Sequence, residues 1–279
     1  MGLILVTGAA GRIGSCLLAG LPALGWRVRG FDLRAGSPTA GSPTAGSPTA
    51  GAAADGVEWV TGDVRDGAAL DAAMQGTEAV VHLAGLATEA PFADLLAANI
   101  DGTYQVFEAA RLAGVPRIVY ASSNHAVGYT PRAPLVGTAV RPRPDTLYGL
   151  TKVFGEALGS LYADRYRMRV ACLRLGAFLD RPTTVRHLAT WLSPGDTVRL
   201  VHACLTAADL DYAVLYGISA NTRGWWDLAP ARALGYQPQD DAEKYAPSLA
   251  GQGLPEETAL EQRYLGGDFI GFELGRSRA

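Results

Sequence analysis

The sequence predicts an α/β fold centred on a doubly wound parallel β-sheet, and three observations lead to this prediction. Short, continuously apolar runs such as Leu3–Thr7 are typical of parallel strands that helices cover on both faces. These runs alternate with helix-like segments, as expected for right-handed βαβ units. The first run leads directly into a glycine-rich turn, Gly8–Gly14, that opens a helix. A chain of 279 residues that is 48% hydrophobic can bury such a core.

The predicted elements follow one another regularly over the first two thirds of the chain. The predicted strands are Leu3–Thr7, Arg27–Phe31, Val57–Val60, Ala79–Leu83, Arg117–Ala121 and Val170–Leu175. The predicted helices are Arg12–Leu24, Gly67–Gln75, one or two helices within Pro91–Ala113, Tyr148–Arg165, Val185–Trp191 and Ala207–Tyr216. We predict a core of residues 1–175 and a small C-terminal substrate-binding portion, residues 176–279, packed with that core as one unit.

A repeat interrupts this alternation between the second and third predicted strands. Gly-Ser-Pro-Thr-Ala occurs three times from Gly36 to Ala50, with a proline in every unit and no apolar face. Such a composition predicts a flexible surface insertion whose length costs little stability. The alternative is a lid over a bound ligand, but the repeat has neither charged nor aromatic side chains to support it.

Charge and cysteine content narrow the classes of function. The formal net charge of -3 and the pI near 5.8 provide no basic surface for nucleic acid or for an anionic membrane. The three cysteines are scattered and the four histidines are widely spaced, which argues against a disulfide framework and against a metal site. The sequence shows neither a basic leader nor an apolar stretch long enough to cross a bilayer. These features predict a cytoplasmic protein that acts on a small molecule, without nucleic-acid or membrane partners.

The glycine-rich turn matches the dinucleotide-binding loop of a Rossmann-type sheet. Gly8 permits the tight turn, Gly11 lets the backbone approach a pyrophosphate, and Gly14 allows the helix to pack closely on the strand. The helix N-terminus would face the phosphates. A glycine triplet alone could be ordinary turn chemistry, but its place between a strand and a helix favours a cofactor loop. The loop residues predicted to contact the cofactor are Gly8, Ala10, Gly11, Arg12, Ile13 and Gly14.

Acidic residues after the second and third strands predict which cofactor this is. Asp32 is placed to accept hydrogen bonds from an adenosine ribose, and its charge would repel a 2′-phosphate, so NAD is favoured over NADP. Arg34 keeps NADP open, because an arginine at this point could bind that phosphate. Asp63 and Val64 are expected beside the adenine, although an acidic loop residue is often only a turn former.

A tyrosine and a lysine four residues apart form a candidate catalytic pair. On a helix, Tyr148 and Lys152 share one face, so the ammonium could lower the phenol pKa from about 10 and favour a basic phenolate. Ser123, at the carboxyl end of the fifth strand, could hydrogen-bond the reacting oxygen or simply cap a turn. Asn99, in a helix behind the site, could hold a water linked to Lys152 or make a buried polar contact.

These motifs together resemble the extended short-chain dehydrogenase/reductase family, also called the NAD-dependent epimerase/dehydratase family. The resemblance is carried by Thr7–Gly14, Asp63–Val64, His82–Gly85 and Tyr148–Lys152. Within that family, the chain is similar to the uronate dehydrogenases at Ser122–Tyr129, Leu147–Glu156, Thr190–Ser193, Gly224–Asp227 and Gly266–Phe269. The similarity covers nearly the whole chain apart from the Gly-Ser-Pro-Thr-Ala repeat.

The resemblance implies that a cyclic hexuronic acid is oxidised at its anomeric carbon, giving an aldarolactone and NADH. In this chemistry Tyr148 takes the hydroxyl proton, Ser123 steadies the oxygen, and Lys152 lowers the phenol pKa. Arg186 falls at the position that binds the substrate carboxylate. The resemblance also implies cofactor contacts from Leu83, Ala84, Gly85, Asn99, Tyr148 and Lys152. It implies substrate contacts from Ser123, Asn124, His125, Arg186, Ala87, Thr88, Ala177 and Phe269.

Departures from the family pattern leave the substrate open. Ala87 and Ala177 stand where family members have substrate-contacting serines, which removes two hydroxyls, and Thr88 could replace one of them. The alternatives are another aldose 1-dehydrogenase, a nucleotide-sugar epimerase or dehydratase, and a non-catalytic dinucleotide sensor. The family pattern also implies a homo-oligomer.

Overall fold

The computed structural model of the chain describes residues 1–34, 57–252 and 257–277. The Gly-Ser-Pro-Thr-Ala repeat at residues 36–50 lies outside these ranges, so the interpretation given above for it stays a prediction. Within the described residues, helices cover both faces of a central parallel sheet.

The described part of the sheet has seven strands, and every neighbouring pair is parallel. The strands of the described ranges, in chain order, are β1 (Leu3–Thr7), β2 (Arg27–Asp32), β3 (Val57–Thr61), β4 (Thr77–His82), β5 (Arg117–Ser123), β6 (Arg169–Leu175), β7 (Ala177–Phe178), β8 (Trp191–Leu192) and β9 (Tyr212–Gly217). The order across the sheet is β3-β2-β1-β4-β5-β6-β9, while β7 and β8 pair with each other. The direction of progression reverses between β1 and β4, which is where doubly wound sheets bind ligands.

The helices form two layers. They are α1 (Arg12–Gly20), α2 (Gly67–Met74), α3 (Phe92–Leu95), α4 (Gly102–Leu112), α5 (Leu147–Tyr166), α6 (His187–Thr190), α7 (Pro194–Thr206), α8 (Ala229–Ala233), α9 (Ala246–Ala250) and α10 (Ala259–Arg263). Leu17 of α1 and Leu200 of α7 belong to one apolar core cluster, and Met74 of α2 and Phe107 of α4 belong to a second. Both clusters contain residues of the central strands, so the sheet is buried on both faces, and β1 is buried at all five positions.

The predicted fold class is confirmed, and one predicted element is wrong. The segment Ala207–Tyr216, predicted as a helix, contains strand β9. Its apolar run is short and buried, and periodicity alone does not distinguish such a strand from a buried helix. The helix predicted for Val185–Trp191 is also shorter than expected, since only His187–Thr190 is helical and Trp191 begins β8.

Strand β9 lies beyond the predicted boundary at residue 175. It pairs with β6 in register from Val170 with Tyr212 to Leu175 with Gly217. Residues of the predicted C-terminal portion therefore complete the same sheet, and the division at residue 175 stays a prediction.

The described residues bear on two further predictions. Cys16, Cys172 and Cys204 are free thiols. In the described ranges, no group of histidine, cysteine, aspartate and glutamate side chains could hold a metal ion, and no helix is long and apolar enough to cross a bilayer.

Candidate active site

A cavity of about 1450 Å³ opens along the carboxyl ends of the central strands. Most of the predicted site residues line it, namely Gly8, Ala10, Gly11, Arg12, Ile13, Gly14, Asp32, Asp63, Val64, Leu83, Ala84, Gly85, Ala87, Ser123, Asn124, His125, Tyr148, Lys152, Ala177, Arg186 and Phe269. Asn99 and Thr88 are the two that do not. Pockets for one small ligand usually measure about 300–1,000 Å³, so this cavity has room for a dinucleotide and a second small molecule.

The glycine-rich loop has the shape that a pyrophosphate requires. Gly8 has a φ of +69°, and a Cβ there would overlap the backbone of Ala84, while a Cβ at Gly14 would overlap the carbonyl of Gly8. Gly11 differs, because only the Gly8 oxygen lies near its missing Cβ, at 3.1 Å. Gly11 also precedes α1 without a side-chain cap, so the first-turn N–H groups of α1 are available to an anion. The loop therefore fits the phosphates of a dinucleotide.

Two aspartates, Asp32 and Asp63, line the end of the cavity expected to hold the adenosine. The carboxylate of Asp32 accepts hydrogen bonds from the backbone N–H of Ala10 at 3.0 Å and of Arg34 at 3.2 Å. This fixes an acceptor at the end of β2, the position expected for a ribose partner. Asp63 is paired with Arg65 at 2.6 Å, and this hydrogen-bonded guanidinium lowers the pKa of the Asp63 carboxyl.

Asn99 shapes the cavity wall from behind. Its Oδ1 accepts from the backbone N–H of Leu86 at 2.7 Å, and its Nδ2 donates to the Leu86 carbonyl at 2.9 Å and to the Thr151 hydroxyl at 3.1 Å. The side chain is buried, and a Cβ at Gly85, whose φ is +143°, would lie 2.8 Å from Oδ1. Of the two roles considered for Asn99, the structure therefore displays the buried polar contact.

The candidate catalytic residues meet at the start of α5 and the end of β5. The Thr146 hydroxyl caps α5 by accepting from the N–H of Gly149 at 3.0 Å. The Ser123 hydroxyl accepts from the backbone N–H of His125 at 3.2 Å and also acts on the pKa of Tyr148. The Lys152 ammonium donates to the Ala121 carbonyl at 2.8 Å and lies 5.5 Å from the centre of the Tyr148 ring. The spacing of four thus brings both side chains to the cavity, as predicted.

The electrostatics of this pair differ from the sequence-based expectation. Burial raises the pKa of Tyr148 to about 12, and the hydrogen bond from Ser123 offsets only part of that rise. Burial also lowers the pKa of Lys152 to about 8. Lys152 is held by the Ala121 carbonyl rather than by the phenol oxygen, so the expected lowering of the phenol pKa is not seen in this structure.

Arg186 is a largely buried cation at the other end of the cavity. Its side chain is only 13% exposed, and it donates from Nη1 to Glu257 at 3.1 Å and from Nη2 to the Leu265 carbonyl. Glu257 also pairs with Arg132, and both guanidinium groups lie over the Trp225 ring. Burial, with the nearby charge of Arg132, lowers the pKa of Arg186. The guanidinium is therefore fixed in one orientation beside the cavity.

Two stacked aromatic rings, those of His125 and Phe269, also line the cavity. The His125 ring stacks on Phe269 with centroids 3.7 Å apart and lies edge-on to Tyr148 at 6.0 Å. Its Nδ1 is 2.8 Å from the carboxylate of Asp145. Asn124 is buried beside it, with Nδ2 near the Leu265 carbonyl at 3.5 Å.

The positions that depart from the family pattern lie in the wall as well. Ala87 and Ala177 both line the cavity, so methyl groups stand where hydroxyls were expected. The Thr88 hydroxyl is buried without a hydrogen-bond partner in the described residues, and Thr88 does not line the cavity. The structure therefore does not place the Thr88 hydroxyl where it would replace either serine.

Three carboxylates in this region were not predicted. Glu89 is fully buried and accepts from the N–H groups of Tyr148 and Gly275, both at 2.8 Å. Asp145 holds His125, and Glu257 holds Arg186. Asp145 precedes α5, where an acidic residue is a common signal, but Glu89 and Glu257 contact residues far away in sequence and carry no local signal.

The model of the NAD dependent epimerase/dehydratase family matches residues 4–208, more than half of the chain. The chain belongs to this family.

Individual relatives are similar over nearly the full length. Uronate dehydrogenase from Pseudomonas putida is 36% identical over 266 residues, which cover 95% of this chain and 94% of that protein. NAD-dependent glucose-6-phosphate dehydrogenase from Haloferax volcanii is 38% identical over 272 residues, covering 91% of this chain and 98% of that protein. A solved structure of a uronate dehydrogenase mutant from Agrobacterium tumefaciens, complexed with NAD, is 36% identical with a TM-score of 0.86 and covers 99% of this chain and all of that one.

Proposed function

We propose that this protein is an NAD-dependent uronate dehydrogenase, which oxidises the anomeric carbon of D-glucuronate or D-galacturonate to the aldarolactone. The observation that carries the proposal is that one cavity contains a dinucleotide loop, the Tyr148 and Lys152 pair with Ser123, and the buried cation Arg186. A hexuronate requires a hydride acceptor, a base for its anomeric hydroxyl and a cation for its carboxylate. The relatives named above include uronate dehydrogenases at full length.

The cofactor end of the cavity suits NAD. The open side of Gly11 and the uncapped start of α1 would hold the pyrophosphate, and Asp32 would accept from the ribose hydroxyls. When bound, NAD supplies the nicotinamide ring that accepts the hydride. The negative charge of Asp32 favours this cofactor over one with a 2′-phosphate.

Tyr148 is positioned to move the proton. Only its phenolate accepts a proton, and with a pKa near 12 about one molecule in 10⁵ is ionised at pH 7. The Ser123 hydrogen bond favours the phenolate. The Lys152 charge, which is present below a pH of about 8, lies 5.5 Å from the centre of the Tyr148 ring. The Tyr148 oxygen would take the proton of the anomeric hydroxyl while the C1–H bond breaks, and Ser123 would hold the reacting oxygen.

Arg186 is positioned to bind the acid group. A guanidinium has five N–H donors, and Glu257 and the Leu265 carbonyl occupy one each on Nη1 and Nη2. The remaining donors can bind a carboxylate through two parallel hydrogen bonds. Because the side chain is largely buried, the pair would be only weakly screened by salt.

The test is the formation of NADH from NAD with D-glucuronate, D-galacturonate, D-glucose and D-galactose. We expect turnover of the uronates, and we expect Arg186→Met to raise the uronate KM by about tenfold or more while the KM for NAD stays unchanged. Arg223→Met is the matched control, because Arg223 forms an exposed pair with Glu243. Equal turnover of the neutral sugars, or an unchanged uronate KM in Arg186→Met, would contradict the proposal.

A second candidate is a dehydrogenase of another aldose, such as an aldose phosphate. Ala87 and Ala177 favour it, because the cavity wall lacks two hydroxyls expected for a uronate, and a guanidinium also binds phosphate. The relative from Haloferax volcanii is named for glucose 6-phosphate. Including glucose 6-phosphate in the same assay separates this candidate. A nucleotide-sugar epimerase regenerates NAD in each turnover and forms no net NADH, so chromatography of UDP-glucose incubated with the protein tests that alternative. Absence of any turnover with NAD bound would indicate a sensor.

We also infer homo-oligomeric assembly and a cytoplasmic location. The outer surfaces of α4 and α5 expose large apolar side chains, Tyr104, Leu112, Leu161 and Tyr166. The free thiols suit a reducing compartment. Light scattering of the purified protein tests assembly, and a monomeric mass at micromolar concentration would exclude it.

A further inference from the structure

The hydrogen bonds of His125 determine which ring nitrogen carries its proton. His125 lines the cavity in the 3-10 helix Asn124–Val127, and its Nδ1 lies 2.8 Å from Oδ2 of Asp145. A carboxylate only accepts hydrogen bonds, so the proton of a neutral ring must lie on Nδ1. The lone pair is then on Nε2.

Two other histidines have the opposite arrangement. Nδ1 of His202 accepts from the indole N–H of Trp26 at 3.0 Å. Nδ1 of His187 accepts from the backbone N–H of Thr183 at 3.2 Å. Both donors force the lone pair onto Nδ1 and the proton onto Nε2.

The contacts of His82 are compatible with the same arrangement. Its Nδ1 lies 2.8 Å from the hydroxyl of Thr7, whose oxygen also accepts from the N–H groups of Leu83 and Ala84. That hydroxyl can therefore donate to Nδ1, and Nε2 of His82, 3.1 Å from the Thr103 hydroxyl, would then carry the proton. Among the four histidines of the chain, His125 is the one whose Nδ1 lies against a carboxylate.

Asp145 is built rigidly into its position. Its side chain has no exposed surface, and a Cβ at Gly128 or at Gly266 would overlap its Oδ2 atom. Its other oxygen accepts from the Thr146 hydroxyl at 3.0 Å. Asp145 does not line the cavity, so its effect on a ligand would act through His125.

The His125 ring is also fixed by stacking. Phe269 lies against it at an interplanar angle of 20°. No hydrogen bond joins Nε2 to another residue in the described ranges, and His125 lines the cavity, so Nε2 is the ring atom left to bind a ligand. Neutral Nε2 accepts a hydrogen bond, and a sugar presents hydroxyl donors.

We infer that Asp145 is a positioning residue that holds His125 as its Nδ1–H tautomer, so that Nε2 accepts a hydrogen bond from a ring hydroxyl of the substrate. This inference rests on the proposed function for the identity of the donor. Asp145 thereby takes part in substrate recognition, and His125 has a donor at Nδ1 and an acceptor at Nε2.

The first test is the tautomer itself. Long-range ¹H–¹⁵N correlation spectra of ¹⁵N-histidine-labelled protein at pH 8 distinguish the two neutral forms and the imidazolium, and His125→Gln assigns the signal. We expect the Nδ1–H pattern for His125 alone and the Nε2–H pattern for His82, His187 and His202. An Nε2–H pattern or an imidazolium at position 125 overturns the inference, whatever the substrate is.

The second test is a variant of the positioning residue. Asp145→Asn can donate to Nδ1, so we expect the Nε2–H form of His125 to appear and the uronate KM to rise about three- to tenfold, with kcat and the KM for NAD changed less. Asp71→Asn, on the exposed side of α2, is the matched control. An unchanged tautomer together with unchanged kinetics overturns the role of Asp145.

A third comparison covers the case in which Asp145→Asn does not fold. His125→Gln keeps an acceptor near the place of Nε2, whereas His125→Phe removes it, so the uronate KM should rise less in the first variant. Equal values in both variants overturn the acceptor role. If wild-type protein fails to oxidise uronates but shows the expected tautomers, the proposed function fails and the assignment of Asp145 stands.

Discussion

The two ends of the cavity are built in different ways. At the cofactor end, Gly8–Gly14 directly follows β1 and Asp32 ends β2, and their contacts are mostly with backbone atoms of neighbouring loops. At the substrate end, Arg186 is held by Glu257 and the carbonyl of Leu265, residues 71 and 79 positions away. The first end is thus encoded by contiguous motifs, and the second by side chains that only the tertiary fold brings together.

The two ends would therefore bind their ligands through different groups, backbone N–H groups for the dinucleotide and side chains for the uronate. Backbone N–H groups at the start of α1 need only the absence of side chains at Gly8, Gly11 and Gly14. The cation and the histidine at the other end need carboxylates behind them. Substitutions at one end should therefore change the KM of one substrate, NAD or the uronate, and leave the KM of the other unchanged. Tyr148 lies at the junction of the two ends, and removal of its hydroxyl should leave both affinities nearly unchanged.

The largest expected effect is at this junction. Tyr148→Phe removes the proton acceptor but keeps the ring, so we expect kcat to fall about 10³-fold while the Kd for NAD changes by less than about twofold. NADH absorbance and a binding titration measure the two quantities. Tyr104→Phe, on the exposed side of α4, is the control. Wild-type turnover by correctly folded Tyr148→Phe protein would remove the proposed mechanism.

The second prediction concerns the cost in folding stability of burying the charge of Lys152 beside Tyr148. Its folded pKa of about 8 lies below the ordinary value of 10.5, so the buried charge opposes folding below pH 8, and this cost disappears as the pH rises from about 8 to 10.5. We expect Lys152→Met to lose activity yet to be more stable at pH 7, by up to about 3 kcal/mol. The stability difference from wild type should narrow at pH 9.5. Urea unfolding at both pH values measures it, and a difference independent of pH would contradict the assigned cause.

The cofactor end could be predicted from the sequence, whereas the contacts of the substrate end could not. The strand-glycine-helix pattern at Gly8–Gly14 and the spacing of Tyr148 and Lys152 are local, so their predicted placement in one cavity agrees with the structure. The partners of Arg186 and His125 depend on distant residues, and the shift of the Tyr148 pKa depends on burial, which the sequence does not display. The strand β9 was missed because a short buried apolar run fits either a helix or a strand.

At the cofactor end, Gly11→Ala should act on NAD alone. The new methyl group would meet only the Gly8 oxygen at 3.1 Å, so the fold should tolerate it, but it would occupy the space left for the pyrophosphate. We expect the KM for NAD to rise about tenfold or more, with the uronate KM unchanged. Gly67→Ala in α2 is the control, because no atom lies within 4 Å of its missing Cβ. An equal rise in both KM values would show that the two ends are not independent.

The smallest effect is expected at the substrate end, where Glu257 orients Arg186. Glu257→Ala leaves the Arg186 guanidinium with the Leu265 carbonyl as its remaining hydrogen-bond partner in the described residues, so we expect the uronate KM to rise about three- to tenfold with the KM for NAD unchanged. Glu257→Gln keeps the acceptor oxygen and should raise the uronate KM less. Glu243→Ala, which breaks the exposed pair with Arg223, controls for the loss of a surface charge.

The direction of the Glu257 effect decides between two roles for a carboxylate behind a binding cation. If Glu257 positions the guanidinium, its removal weakens uronate binding, because the donors of Arg186 are no longer aimed at the cavity. If Glu257 instead competes for those donors, its removal strengthens uronate binding and lowers the KM. Arg186 lines the cavity whereas Glu257 and Arg132 do not, so Glu257 contacts the guanidinium from behind and a rise in KM is the expected result.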